Sequence, residues 1–170
     1  MIIIQRNYFP SFFLELPFGT HDWAQADRCS IALAYYHNGL DFWNPATMNL
    51  ASEGGRVAVE FPLVAYLSAV VGRLANSVHV IYPVFRLLNF SILVGGMFLM
   101  YKIIWQYTRS IVLALVGALF PIISVNTIFY AYNFLSDTAA LGWMLIAFYF
   151  FVRLFSKTDK KNDYCAESQS

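Results

Sequence analysis

The sequence predicts an all-α membrane protein, a polytopic helical bundle with amphipathic juxtamembrane helices on its outer face. Two observations support this prediction. Hydrophobic residues make up 59% of the 170 residues and charged residues 12%, whereas soluble domains have about 45–50% and about 25%. Between Leu87 and Val152 the only charged residues are Lys102, Arg109 and Asp137, and so long a gap is typical of contact with lipid.

The uneven distribution of charge divides the chain into three parts. Residues 1–83 form an N-terminal stub and an outer-face loop with interfacial helices, residues 84–156 hold three transmembrane helices, and residues 157–170 form a cytoplasmic polar tail. The net charge of +1 gives no basis for nucleic-acid binding. Cys29 and Cys165 lack the spacing of metal ligands, so no metal site is evident and the cofactor stays unknown.

The first segment, residues 1–19, is apolar but contains Arg6, Glu15 and two prolines. It is too short and too interrupted for a complete membrane span. No small-residue cleavage site follows an unbroken apolar stretch, as a signal peptide would require. We interpret the segment as the stump of a spanning helix or as an interfacial segment.

Two short helices are predicted before the first membrane span. An amphipathic helix is expected over residues 22–38, because apolar residues recur there at helical spacing. These apolar positions are Trp23, Ala26, Ile31, Ala34 and Tyr35. A turn-rich loop over 41–56 follows, and a second helix is expected over 63–74, directly after Pro62. Both helices are too short to span and are expected to lie on the outer membrane surface.

Three later segments have the roughly 20 apolar residues that a membrane helix needs. The predicted spans cover residues 83–105, 111–130 and 138–155. The second span contains Pro121, which a membrane helix tolerates where neighbouring groups satisfy the freed carbonyl.

Lysine and arginine positions predict the orientation of these spans. Lys102 and Arg109 bracket the link between the first two spans, and a basic cluster over 153–161 follows the third. The link over 130–136 has no basic residue. The positive-inside rule therefore places both basic segments in the cytoplasm, and Asp137 with the N-terminal part on the opposite side of the membrane.

Five short motifs in the chain follow one another in a characteristic order. They are Gly19-Thr20-His21-Asp22-Trp23-Ala24-Gln25-Ala26-Asp27, Ile31-Ala32, Glu60-Phe61-Pro62-Leu63 before a helix, Arg86-Leu87 entering a span and Ser136-Asp137 opening a later span. Over about residues 15–156 this pattern resembles the C-type membrane glycosyltransferases. The most similar branch contains the dolichyl-phosphate-mannose–protein mannosyltransferases, the aminoarabinose transferase of lipid A and the rhizobial galacturonosyltransferases.

The resemblance implies an enzyme that transfers a sugar from a polyprenyl-phosphate donor to a lipid, glycan or protein acceptor outside the cytoplasm. In the family an acidic residue in the first outer loop acts on the acceptor, and Asp22 matches its place, with Asp137 expected to shape the same site. A hydroxyl acceptor needs such a base to take its proton. The spacing from Asp22 to Ile31 is two residues longer than in the mannosyltransferases, which makes Asp27 a rival for the base.

The donor phosphate needs cationic partners, and Arg56 and Arg86 are the candidates. Glu60 and His21 are further candidates for contacts with the donor or the substrate. The sequence departs from the family pattern where Ala24 replaces a common arginine and Ser136 a common proline.

Each of these residues also has a purely structural interpretation. Asp22 with Gln25 could form a capping box, and Ser136 with the acid that follows could cap the third span. Glu60 fits an ordinary helix start, and Arg86 fits an anchor that reaches towards the membrane surface.

The family's members are several hundred residues long and have more spans, so the resemblance implies that this chain is a fragment and inactive by itself. The alternative function is that of a small, non-enzymatic membrane subunit or assembly factor whose outer helices bind a partner. The organisation favours a multi-pass protein of the bacterial inner (plasma) membrane, with the outer-face loop in the periplasm or exterior.

Overall fold

The computed structural model describes residues 17, 21–48 and 53–167, without the side chains at 53 and 157–167. Apart from residue 17, the stub predicted over 1–19 therefore lies outside the described residues. The side chains of the predicted polar tail lie outside them as well.

The described ranges are helical, which confirms the all-α fold class. The helices are α1 (Asp22–Asn38), α2 (Leu63–Leu74), α3 (Ile81–Thr108), α4 (Ile111–Leu119), α5 (Val125–Ala131) and α6 (Asp137–Glu167). Short 3-10 turns at Glu53–Gly55, Val78–Val80 and Phe120–Ile123 join them. An isolated antiparallel bridge between Ala46 and Arg56 closes the loop from α1 to α2.

Two segments are long and apolar enough to cross a membrane, namely Val78–Thr108 and Asp137–Ser156. A third crossing is possible only if the bent pair Ile111–Ile123 and Val125–Ala131 counts as one span. These two helices meet at 76°. The predicted second span is thus a broken helix, since Pro121 supplies no backbone donor and Ser124 has extended backbone angles.

Helix α6 extends further than the predicted third span. The prediction ended at residue 155, whereas the helix continues to Glu167 through the polar tail. After Gly142 the helix contains no glycine or proline to interrupt it, and lysine favours helix formation.

One hydrophobic core joins α1 and α2 to the two long apolar helices α3 and α6. It is built from Cys29, Ile31, Ala32 and Tyr35 of α1, Val64, Ala65 and Ala69 of α2, Ile81, Tyr82 and Phe85 of α3, and Phe134 and Ala139 near the start of α6. Helices α1 and α2 are therefore fixed to the start of α3 and to the α5–α6 link. Their position on the membrane surface stays a prediction.

The buried face of α1 differs from the predicted one at its N-terminal end. Three of the predicted apolar positions are buried, and these are Ile31, Ala34 and Tyr35. Trp23 and Ala26 are exposed instead, and Gln25 and Cys29 continue the buried face. Positions 25, 29 and 32 follow at spacings of four and three residues, so they share one side of the helix.

Helices α3 and α6 cross at very short range. A Cβ atom added at Gly96 would lie 2.6 Å from the carbonyl oxygen of Gly142. One added at Gly142 would lie 2.6 Å from the carbonyl oxygen of Ile92. Small residues allow such close approach between membrane helices, and this crossing fixes α6 beside α3.

Candidate functional site

A cavity of about 310 Å³ lies where α1, α2 and α3 meet the start of α6. Its polar lining residues are Arg28, Glu60, Ser136 and Asp137. Its apolar wall includes Ile31, Val64, Phe85, Ala139 and Trp143. Apolar walls with a few polar groups are typical of small-molecule sites, and this combination suits an amphipathic ligand.

Glu60 is bound from two sides at this cavity. Its Oε1 atom lies 2.8 Å from Nη2 of Arg28, and its Oε2 atom accepts a hydrogen bond of 2.6 Å from the hydroxyl of Ser136. The three residues come from α1, the α1–α2 loop and the start of α6. Because the side chains of Arg28 and Glu60 are 26% and 65% exposed, water screens their attraction. The cluster therefore serves mainly to position its groups.

Glu60 and Ser136 bond each other through their side chains, and each lies close to a helix start. Helix α2 begins after Pro62 without a side-chain cap bond. The carbonyl of Ser136 accepts the N–H of Ala140, while its hydroxyl donates to Glu60. Glu60 therefore lies just before a helix start, as predicted, and its carboxylate also joins two other segments, while the capping role of Ser136 stays a prediction.

Asp137, a predicted catalytic residue, is exposed and lines the same cavity. It lies in the first turn of α6, where the partial positive charge of the helix end favours a carboxylate. Glu60 and Asp137 are the predicted site residues that this cavity brings together.

His21 and Asp22 lie elsewhere, near the other end of the α5–α6 link. The ring of His21 meets that of Tyr130 edge-on, with centroids 6.2 Å apart. His21 has left-handed backbone angles (φ 58°, ψ 37°), which are uncommon for a residue with a side chain. Oδ1 of Asp22 accepts the N–H of Trp23 at 2.8 Å. The end of α5 therefore contacts His21, whereas the link that follows α5 contacts Glu60 through Ser136.

The first turn of α1 is not a capping box. The helix start has no side-chain cap bond. Gln25 is fully buried, whereas a capping box needs its side chain to reach back to the helix start. The catalytic assignment of Asp22 stays a prediction.

Asp27 and Arg56 also lie away from the cavity lining. Asp27 is exposed on α1, and its backbone carbonyl accepts the hydroxyl of Ser30. Arg56 is exposed and takes part in the isolated backbone bridge with Ala46. Neither residue therefore contributes to this cavity.

Arg86 is buried rather than directed to the membrane surface. Its guanidinium carbon lies 4.7 Å from the centre of the Phe134 ring, which is within the range of a cation–π contact. Burial raises the pKa of the nearby Cys29 thiol from 9.0 to about 12, while the charge of Arg86 acts in the opposite direction. The thiol therefore stays protonated at neutral pH.

The polar residue Arg28 and the aromatic residue Trp143 line the cavity but were not predicted as site residues. A signal for Arg28 was present, because it precedes Ile31 by three residues and Tyr35 by seven and so shares their apolar helix face. A charged residue on such a face needs a partner. Trp143 lies inside a predicted span and carried no distinguishing signal.

No cluster of three or more histidine, cysteine, aspartate or glutamate side chains in the described part of the chain could hold a metal ion. Comparisons with protein families, with curated proteins and with solved structures found no match to this chain.

Proposed function

We propose that this protein is a glycosyltransferase-like membrane protein that binds a polyprenyl-phosphate sugar and passes the sugar to an acceptor outside the cytoplasm. The proposal rests on one observation, which is that Arg28, Glu60, Asp137 and an apolar wall line the same cavity. Such a donor has an apolar chain, an anionic phosphate and a sugar rich in hydroxyls. The apolar wall complements the chain, the guanidinium complements the phosphate, and the carboxylates complement the hydroxyls of the sugar.

Arg28 is the proposed partner of the donor phosphate. A guanidinium has five N–H donors, so Arg28 can keep its bond to Glu60 and also bind a phosphate oxygen. The leaving phosphate gains negative charge, which a positioned arginine stabilises. Arg28 takes this role instead of Arg56 and Arg86, because neither of those lines the cavity.

Asp137 is the proposed base of the transfer step. The acceptor hydroxyl oxygen attacks the anomeric carbon, and the bond from that carbon to the phosphate oxygen breaks with its electron pair leaving on the polyprenyl phosphate. The hydroxyl proton passes to the carboxylate. Glu60 is engaged by Arg28 and Ser136, so its proposed role is to orient the guanidinium. Asp22, which the resemblance predicts as the base, is the alternative to Asp137 in this role.

Donor binding tests the proposal directly. The purified chain in lipid nanodiscs is mixed with radiolabelled polyprenyl phosphates that carry mannose, aminoarabinose or galacturonate. We expect at least one to bind, and Arg28→Gln to weaken binding at least about tenfold through loss of a charge-assisted contact. Arg109→Gln, at the far end of α3, is the matched control. The proposal fails if no donor binds or if Arg28→Gln binds as the unaltered protein does.

A second candidate function, that of a non-enzymatic membrane subunit, is supported by the bent pair α4–α5. Irregular backbone within the membrane must be buried in protein or line a water-filled cavity. Ile123 and Val125, on either side of the break, are exposed. In this second candidate function, a helix of a partner protein packs against them and buries the break. The subunit function is favoured if none of the donors binds.

A further inference from the structure

A second, open cleft of about 350 Å³ lies next to the first cavity. The two share Val59, Phe61 and Pro62 in their linings. The cleft adds Phe42 and Trp43 from the α1–α2 loop. Glu60 lines the first cavity only, so the two sites are adjacent and differ in character.

The cleft presents two aromatic rings to the outside. Trp43 is 82% exposed and Phe61 is 69% exposed. Both pack edge-on against the ring of Phe42, at centroid distances of 5.2 and 5.3 Å. Leaving large apolar rings in water forgoes the free energy that burial would provide, and grouped exposed rings indicate a binding surface.

The loop that carries these rings is fixed from beneath by two tyrosines. The Tyr35 hydroxyl donates to the carbonyl of Phe42 at 2.9 Å, and the Tyr66 hydroxyl donates to the carbonyl of Leu40 at 3.4 Å. The Tyr66 ring also packs edge-on against Phe42 at 5.1 Å and against Tyr35 at 5.4 Å. The rings are therefore held in place before any ligand arrives, which lowers the entropic cost of binding.

Two polar side chains, Asp41 and Asn44, lie close to Trp43 in the same turn. The carboxylate of Asp41 accepts the backbone N–H of Trp43 at 3.3 Å and the side-chain amide of Asn44. A carboxylate accepts hydrogen bonds, and an amide both donates and accepts them. Both side chains are exposed on the turn that carries Trp43, outside the lining of the cleft, where they can bind the hydroxyls of a ligand held against the indole.

We infer that this cleft binds a neutral pyranose ring, which stacks on Trp43 and Phe61 and forms hydrogen bonds to Asp41 and Asn44. The electron-rich ring faces attract the weakly positive C–H face of a sugar. The negative charge of Asp41 disfavours an anionic lipid surface as the occupant. A sugar carries the hydroxyl donors that this carboxylate can accept.

The role of this sugar within the transfer reaction rests on the proposed function. Because Phe61 follows Glu60 directly, a sugar in the cleft lies beside the proposed donor cavity. It is then part of the acceptor, which makes the acceptor a glycan or glycolipid. Sugar binding by the cleft itself does not depend on catalysis.

The test uses the chain purified in a detergent without a sugar headgroup, such as lauryldimethylamine oxide. Maltotriose, mannotriose and chitotriose are the probes, and saturation-transfer NMR measures binding. We expect at least one to bind with a millimolar Kd and Trp43→Ala to weaken it about tenfold or more. Trp23→Ala is the matched control, because Trp23 is 70% exposed and does not line the cleft.

Three results would overturn the inference. They are no binding of any probe, equal binding by Trp43→Ala and the unaltered protein, and strong quenching of Trp43 fluorescence by brominated lipids in nanodiscs, which would place the ring in the membrane. The donor assay separates the two proposals. Sugar binding without donor binding contradicts the proposed function alone, and donor binding without sugar binding contradicts this inference alone.

Discussion

The hydroxyl of Ser136 donates a hydrogen bond of 2.6 Å to Oε2 of Glu60, across 76 residues of chain. Arg28 binds the other oxygen of the same carboxylate. Each residue considered alone fits a helix start or a surface charge. Together they hold α1, the α1–α2 loop and α6 in register around the cavity.

Breaking this contact should reveal coupling between distant segments. We expect Glu60→Gln and Ser136→Ala each to lower the free energy of unfolding in detergent, with a coupling term of about 0.5–1 kcal/mol because the contact is partly solvated. The control combines Glu60→Gln with Ser156→Ala. The hydroxyl of Ser156 bonds that of Tyr107 at the far end of the apolar span of α6. The effects of these two substitutions on the free energy of unfolding should be additive. Additivity in the test pair as well would show that the contact is not formed in solution.

Substitution by asparagine separates a catalytic acid from a structural one. Asparagine keeps the size of aspartate and caps helices about as well, but it cannot take the acceptor proton. We expect Asp137→Asn to lower sugar transfer at least about a hundredfold in membranes that contain the protein and show transfer, with normal insertion. Asp27→Asn, at an exposed position away from the cavity, should have little effect.

The same assay decides between the candidate bases. If Asp22→Asn loses transfer while Asp137→Asn keeps normal transfer, the base is Asp22 at the start of α1. Normal transfer in both variants would leave both aspartates with structural roles only.

The close crossing of α3 and α6 at glycines predicts that alanine destabilises the protein at Gly96 and Gly142 but not at the neighbouring Gly95. Gly96→Ala and Gly142→Ala place a methyl group against backbone carbonyls that cannot rotate away. We expect each to lower the free energy of unfolding by about 1–3 kcal/mol, as overpacking does. Gly95→Ala is the matched control, since nothing lies within 4 Å of its added Cβ. Equal thermal stability of all three variants in detergent would contradict this crossing.

Local signals made parts of the fold predictable from sequence. Helix α1 ends where expected because Gly39 adopts a φ of 125°, a conformation that suits glycine. Helix α2 begins directly after Pro62 and spans the predicted residues 63–74. In both cases the deciding residue lies within one turn of the boundary.

Other features depended on contacts that sequence patterns do not contain. The bend after Pro121 depends on whether neighbours stabilise a straight helix, and the pattern showed only that a proline was tolerable. Glu60 and Asp137 were predicted as site residues, whereas Arg28 was missed, because its role depends on how α1 packs beside the α1–α2 loop. The packing of three separate segments creates the site.

The buried thiol of Cys29 should be nearly unreactive in the folded protein. Raising its pKa from 9.0 to about 12 lowers the thiolate fraction at pH 8 about a thousandfold, and the thiolate is the reactive form. Iodoacetamide labelling of the Cys165→Ser variant, followed by mass spectrometry, measures this rate. Labelling of the folded protein as fast as in denaturant would contradict the burial of Cys29.

The same pKa shift has a consequence for stability. A thiol whose folded pKa is raised stabilises the fold fully below pH 9, and this contribution is lost as the pH rises from 9 towards 12. The Cys29→Ala variant lacks this titrating thiol. The unfolding free energy of the variant should therefore fall less steeply above pH 9 than that of the unaltered protein.

Two contacts show which parts of the chain lie together at each end of the candidate membrane helices. The hydroxyls of Tyr107 and Ser156 lie 2.8 Å apart, which joins the end of α3 to the end of the apolar span Asp137–Ser156 of α6, close to the basic residues of both segments. The Ser136–Glu60 bond joins the start of α6 to the α1–α2 loop. The positive-inside rule then predicts that the first end is cytoplasmic and the cavity faces the other side.

Labelling of single cysteines in intact cells tests this orientation. In a Cys29→Ala, Cys165→Ser background, a membrane-impermeant maleimide should label Met48→Cys and spare Gln106→Cys, because both positions are exposed and only the membrane separates them. Permeabilised cells, in which both should react, provide the control for accessibility. The opposite pattern in intact cells would place Asp137 and Glu60 in the cytoplasm. An acceptor outside the cytoplasm could not reach a carboxylate there, so that result would exclude transfer on the outer face.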